Sequence, residues 1–268
     1  MFNRLLLLFT VVLLINTASA QSIESTTATF NRLYVGVSTT QGVGYRYLLR
    51  NKSVPAPDND ESIPKDVIQI RNKQDKPDYA FDAGIRLGVN VTHFFSIETG
   101  IDYYRTGYFY KQDSLVSSYH STPSGIEPDE IGNLKMHNYY NYINVPLALN
   151  FTIGEGKLKA LISTGANFNV FLGTSYHSII NFEGKHSNNR GWGKLYAEPI
   201  TTFNISPFLG IGINYQITPL IALRAMPTFQ MQTLKNVKDA PLTEYLYSGG
   251  INVALTFGFI DVNTKGNK

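Results

Sequence analysis

Six charged residues stand where side chains could do chemistry: Asp82, Arg86, Glu98, Asp102, Lys159 and Arg224. All have apolar or small neighbours on both sides, Phe81 and Ala83 around Asp82 for example, or Leu223 and Ala225 around Arg224. A charge so placed is carried into an interior and must be matched there. Three acids and three bases suit a structural ion-pair network, in which loss of one partner costs about 3–5 kcal/mol. The same set could instead line a gated polar pathway or a small binding cavity. An interior just filled by its own side chains favours the first use.

Other reactive types are scattered. The histidines at 93, 120, 137, 177 and 186 lack the H-x-x-H or H-E-x-x-H spacing of a metal site and are expected in turns or loops. Asp58, Asp60 and Glu61 cluster in a polar stretch that matches a calcium loop only loosely, so solvated loop acids are expected. No G-x-S-x-G elbow or phosphate loop occurs, and with no cysteine there is neither thiol chemistry nor a disulfide framework. No catalytic residue, metal or cofactor is therefore predicted. Trp192 and Tyr196 could offer a carbohydrate or protein contact, although loop packing explains them as well. The net charge of +3, with 16% charged residues, gives no footprint for nucleic acid.

The elements that must position these residues are strands. Residues 203–217 alternate Phe203, Ile205, Leu209, Ile211 and Ile213 with Asn204, Ser206, Gly210, Gly212 and Asn214. Period two over that length puts one apolar and one polar or small face on a strand. Leu223 and its odd-numbered neighbours continue the pattern, as do Val253, Leu255 and Phe257. Earlier runs begin near Leu33, Phe81, Phe95, Ile143 and Leu158. Ile143, Val145, Leu147 and Leu149 form the apolar face of the fourth. Eight segments carry the signal, and the composition, with 17 Tyr, 16 Phe and 22 Gly, suits strands.

The polar face decides the class. It holds Gly, Ala, Ser, Asn and Thr with few Lys or Glu, which suits a crowded lumen better than an open aqueous surface. The other face is apolar with aromatic ends, as a bilayer and its interfaces require. The residues expected to face lipid are Ile143, Val145, Leu147, Leu149, Leu209, Ile211, Ile213, Leu223, Val253, Leu255 and Phe257. Connections alternate long (51–78, 111–138, 173–202, 234–244) and short (91–94, 154–157, 218–219). The expected fold is an all-β, eight-stranded, antiparallel, up-and-down transmembrane barrel, with short periplasmic turns and long extracellular loops. Lipid offers no hydrogen bonds to an open edge, so the first strand must pair with the eighth. With a second hairpin centred on Thr92, Arg86 would oppose Glu98, and Arg224 would face them across the lumen.

The N-terminus fits export. Arg4 precedes an apolar run from Leu5 to Ile15, and Ala18-Ser19-Ala20 supplies small residues for cleavage. The domain plan is a signal peptide over 1–20, a periplasmic segment over 21–31, the barrel over 32–260 and a polar tail over 261–268.

The run Tyr142-Ile143-Asn144-Val145-Pro146-Leu147 resembles the Y-[IL]-x-[IV]-P-[LV] signature of PorT-like outer-membrane barrels, small barrels typical of the Bacteroidetes group. Residues 95–103, with Gly100 and Tyr103, are similar to that family's L-x-x-G-L-x-Y third strand. The polar tail after Phe259 departs from the terminal Phe with which such barrels often end. The resemblance implies a small outer-membrane barrel and assigns no activity.

These readings predict a non-enzymatic outer-membrane protein of a Gram-negative cell. Its expected partners are outer-membrane lipid, the barrel assembly machinery and, at its loops, an extracellular or secretion-system protein. Two other classes compete. A membrane-embedded acyltransferase or protease barrel needs a greasy lumen or paired rim carboxylates and histidines. A secreted soluble barrel binding an apolar ligand needs the oily face inside.

Overall fold

Alternating strands leave no backbone group unpaired only if the sheet closes, and here it does. The computed structural model describes residues 32–55, 60, 62–117, 121–122, 125–126, 130–182, 185–192, 200–237 and 240–259. The expected signal peptide, the 21–31 segment and the polar tail lie outside these residues. Eight antiparallel strands form the ring: β1 (Leu33–Arg50), β2 (Asp75–Asn90), β3 (Phe95–Ser117), β6 (Glu130–Ile153), β7 (Leu158–Phe182), β9 (Phe203–Gln216), β10 (Ile221–Met231) and β11 (Leu242–Phe259). β1 pairs with β11 along its whole length, which closes the barrel as expected. Between them in sequence lie α1 (Ser62–Gln74), the small hairpin of β4 (Ser121–Thr122) with β5 (Gly125–Ile126), and β8 (Lys185–Trp192), which pairs with β7.

The register fixes the tilt. A path from Leu33 through Val89, Ile97, Leu149, Thr164, Leu209, Phe229 and Gly249 returns to β1 at Val43, ten residues further along. Such a stagger belongs to strands inclined by roughly 35–45° to the barrel axis.

The all-β barrel is as expected, with one addition, the 13-residue α1 within the first long connection. Two expectations are corrected. The strands run further into the long connections than alternation alone indicated, so that β3 continues to Ser117 and β7 to Phe182. Tertiary pairing with the neighbouring strand carries them past the point where the apolar alternation ends. The β2–β3 register is also shifted by two, since Arg86 opposes Gly100 and Glu98 opposes Gly88. The turn is wider than one centred on Thr92, because Val91 and Thr92 N–H groups donate to the Phe95 carbonyl and the Thr92 hydroxyl accepts from Phe95 N–H at 3.0 Å.

The short β6–β7 turn depends on glycine. Gly154 and Gly156 have φ of +117° and +79°, values that side-chain-bearing residues rarely adopt.

The outward residues include all those expected to face lipid, from Leu209 (52% exposed) and Ile211 (60%) to the half-exposed Ile143, Leu223 and Leu255. Outward threonines do not waste hydrogen bonds on this apolar wall. Thr39 and Thr99 hydroxyls each donate to a carbonyl of the adjacent strand at 2.8 Å. Phe95 and Phe151 pack at one end of the wall, with ring centroids 5.1 Å apart. Tyr79, Phe81 and Tyr103 stack along the other end.

Candidate functional site

The interior charges are spaced by glycine. On β2, Gly84 and Gly88 flank Arg86, and on β3 Gly100 lies between Glu98 and Asp102. The two-residue register shift therefore lays each long side chain over a glycine on the neighbouring strand. Each glycine is sterically required. A Cβ at Gly100 would lie 2.1 Å from the Ile85 carbonyl and 3.1 Å from Arg86 Nη1, and one at Gly88 would meet the Tyr34 ring at 1.9 Å.

Arg86 thereby reaches two carboxylates. Its Nε lies 3.4 Å from Glu98 Oε1, and its Nη1 donates to Asp102 Oδ1. Arg224 crosses the lumen from β10 and donates to Glu98 Oε2 at 2.6 Å. The Tyr34 hydroxyl donates to the same oxygen at 2.9 Å, while the Arg224 guanidinium lies 4.9 Å from the Tyr34 ring centre. Glu98 is thus the hub of the cluster, bound to two guanidinium groups and a phenol. Asp82 stands at the edge, among the residues that line a chamber of about 60 Å³, and its Oδ1 is buried without a hydrogen-bond partner. That volume has room for a few waters and is too small for an acyl chain or a peptide.

Lys159 is the exception among the six. It lies opposite Asn214, half-exposed near the short-turn end, and forms no ion pair with any described residue. Lys159→Gln should shift stability by less than about 0.5 kcal/mol in a urea titration, as for an isolated surface charge.

Above the chamber, towards the long connections, the lumen is closed by tyrosine. Tyr104, Tyr108, Tyr140 and Tyr142 pack with Leu246, all at most 3% exposed. Every hydroxyl in this layer has a partner. Tyr104 pairs with Ser248 Oγ at 2.9 Å, Tyr142 donates to Asn236 Oδ1 at 3.0 Å, Tyr140 donates to Glu244, and Tyr108 accepts from Arg46 Nη1 at 2.8 Å.

A second ion network, absent from the sequence expectations, caps this layer. Arg46 donates through Nε to Asp75 Oδ2 at 2.9 Å and through Nη1 to Glu244 Oε2 at 2.9 Å, and it stacks 3.8 Å over the Tyr108 ring. Arg71, from the last turn of α1, reaches Asp75 Oδ1 at 3.2 Å. At the other end of that helix the Asp60 carboxylate accepts from the Ser62 N–H and hydroxyl, which holds its pKa below the usual value. Asp60 is exposed in the connection before α1, as the solvated reading expects, and caps the helix as well. Asp58 and Glu61 lie outside the described residues.

The histidines are also placed differently from the expectation of turns and loops. His93 does lie in a turn, but His137 and His177 oppose each other on β6 and β7, and His186 lies in β8. His137 Nδ1 meets Asp78 Oδ2 at 2.5 Å. No group of three potential ligands gathers around a metal position among the described residues. Trp192 is 63% exposed on β8 and lies over Gly173, whereas Tyr196 and His120 lie outside the described residues.

No protein-family model matches the sequence, and no curated protein does. Solved structures with a related outline include Neisserial surface protein A, at 12% identity and a TM-score of 0.39, covering 85% of this chain and 97% of that one. The Ail attachment invasion protein of Yersinia pestis matches at 10% identity and 0.32, covering 85% and 100%. The outer membrane protease OmpT of Escherichia coli matches at 8% and 0.42, covering 88% and 99%. The closed ring described above follows from the strand register and is independent of these neighbours.

Proposed function

We propose that this chain is an exported, integral outer-membrane barrel without enzymatic activity, whose lumen is sealed and whose extended loop-side end is available to a partner. One observation carries the reading. The outward wall is apolar over about nine residues of β3 and β6, from the Phe95–Phe151 pair to the Tyr103–Ile143 pair, with aromatic residues at its ends. That is the strand length needed to cross a bilayer at this tilt. The inward face carries the charges and amides, the reverse of a soluble barrel that holds an apolar ligand. The lumen also lacks the room an embedded acyltransferase would need.

Membrane fractionation with heat-modifiable gel mobility tests the location. Recovery of the folded protein in the soluble periplasm would overturn it. The seal makes a separate prediction. The parent protein in a planar bilayer should show no steady conductance, whereas Tyr140→Ala with Tyr142→Ala should open ion passage through the layer above the chamber. A parent barrel as conductive as this variant would refute the plug.

The PorT-like kinship is part of this proposal. Within its signature Tyr142 is fully buried in the tyrosine layer, and Val145 and Leu147 face outward, so the motif marks where β6 enters the apolar belt.

A further inference from the structure

Beyond Tyr103 the outer wall changes character on one side only. The outward residues of β3 become Arg105, Phe109 and Lys111, those of β6 become Tyr139, His137 and Lys135, and β2 contributes Lys76 opposite Phe109. The strands here are long, 23 residues in β3 and 24 in β6 against 11 in β10, so this side of the barrel stands above the apolar belt. The outward residues at the corresponding end of β1, β10 and β11 are Tyr45, Tyr47, Leu49, Phe229, Met231 and Tyr247, with no charge among them.

The cations on the basic side are held on aromatic platforms. The Arg105 guanidinium lies 3.6 Å from the Tyr139 ring centre, and Lys135 Nζ lies 4.6 Å from that of Phe109. Phe109 in turn packs on His137, at 5.3 Å between centroids. Nearby acids are already engaged, Asp78 with His137 and Asp113 with Lys111. Lys76, Arg105 and Lys135 form no ion pair with any described residue, and Arg105 Nε is buried with no hydrogen-bond partner. Lys111 and Lys135 face each other directly across the β3–β6 pair. Like charges so placed destabilise a sheet unless an anion lies between them.

We infer that this wall binds the anionic phosphate headgroups of the surrounding lipid, with Lys76, Arg105 and Lys135 as the principal contacts. The site begins two residues past the aromatic boundary of the belt, at headgroup depth, and faces sideways into the leaflet. The inference rests on the membrane reading above, and its test is separable from that reading.

The full chain, extracted in mild detergent, would be presented with phosphatidylglycerol or phosphatidylcholine and its retained lipid counted by native mass spectrometry. The parent protein should retain phosphatidylglycerol at least about tenfold better, because each basic residue near an anionic surface contributes several-fold. The K76Q/R105Q/K135Q variant should lose that preference, and a Lys157→Gln, Lys159→Gln control at the short-turn end should keep it. Should the triple variant fail to fold, Lys76→Gln and Lys135→Gln singly, both at accessible positions, should each lower retention several-fold. Equal retention of the two lipids by the parent protein would overturn the proposal, as would a preference unchanged in the variants. Displacement of the lipid by inorganic phosphate would also overturn it, since the site would then take a free anion. Heat-modifiable mobility of the same samples reports the barrel itself, so a failed membrane reading would be seen there first.

Discussion

Glu98→Ala is expected to lower the unfolding free energy by about 3–5 kcal/mol, the cost of breaking a buried ion cluster from one side. Glu98 accepts from Arg224 and Tyr34 and lies against Arg86. Without it Arg86 keeps Asp102, but Arg224 loses the only carboxylate within ion-pair distance among the described residues. A guanidinium that is only 9% exposed is then left uncompensated. Urea unfolding in vesicles, followed by heat-modifiable mobility, measures the loss. The Glu98→Ala, Arg224→Met double variant should recover most of it, because two apolar groups of suitable shape need no counter-charge. Little change should be seen between low and high salt, since buried pairs are poorly screened. A single variant within about 1 kcal/mol of the parent, below that range, would show that the cluster is hydrated and weak.

Much of this site could be read from the sequence because period two sorts residues to faces without knowledge of their partners. Arg224 and Glu98 could be placed across the lumen by parity and strand order alone. Parity does not give register, and there the reading failed. The β2–β3 turn is decided by hydrogen bonds among Val91, Thr92 and Phe95, and its two-residue shift turned an Arg86–Glu98 pair into a bridge over Gly100. Alternating glycines at 84, 88 and 100 were the available hint, since long side chains need room opposite them.

The network at the loop end was harder to see. Arg46 and Glu244 share the inward parity of their strands, but the apolar alternation fades before either is reached. Asp75 has the opposite parity to Asp82 and points inward only because the register shifts between Pro77 and Phe81. Such an irregularity has no period to detect. The basic outer wall was missed for a related reason: past the belt, outward residues are no longer apolar, and the signal that defines a face disappears.

Ile211→Arg should cost about 2–4 kcal/mol and impair assembly into membranes, whereas Leu33→Arg should cost no more than about 1 kcal/mol. Both parent residues are outward and similarly exposed, at 60% and 56%. They differ in depth. Ile211 lies within the β9 belt between Phe203 and Tyr215, whereas Leu33 opens β1 at the short-turn rim, opposite Val89 and Phe259. In hydrocarbon an arginine at mid-depth must drag water or deform the bilayer, while one at the rim reaches the headgroups. In water neither would cost much, since an exposed position accepts charge. Folding yields into lipid vesicles for the two variants therefore measure what lies against the wall. A graded loss, large at Ile211 and small at Leu33, requires lipid there, and equal tolerance at both depths would mean that the apolar wall meets solvent or another protein.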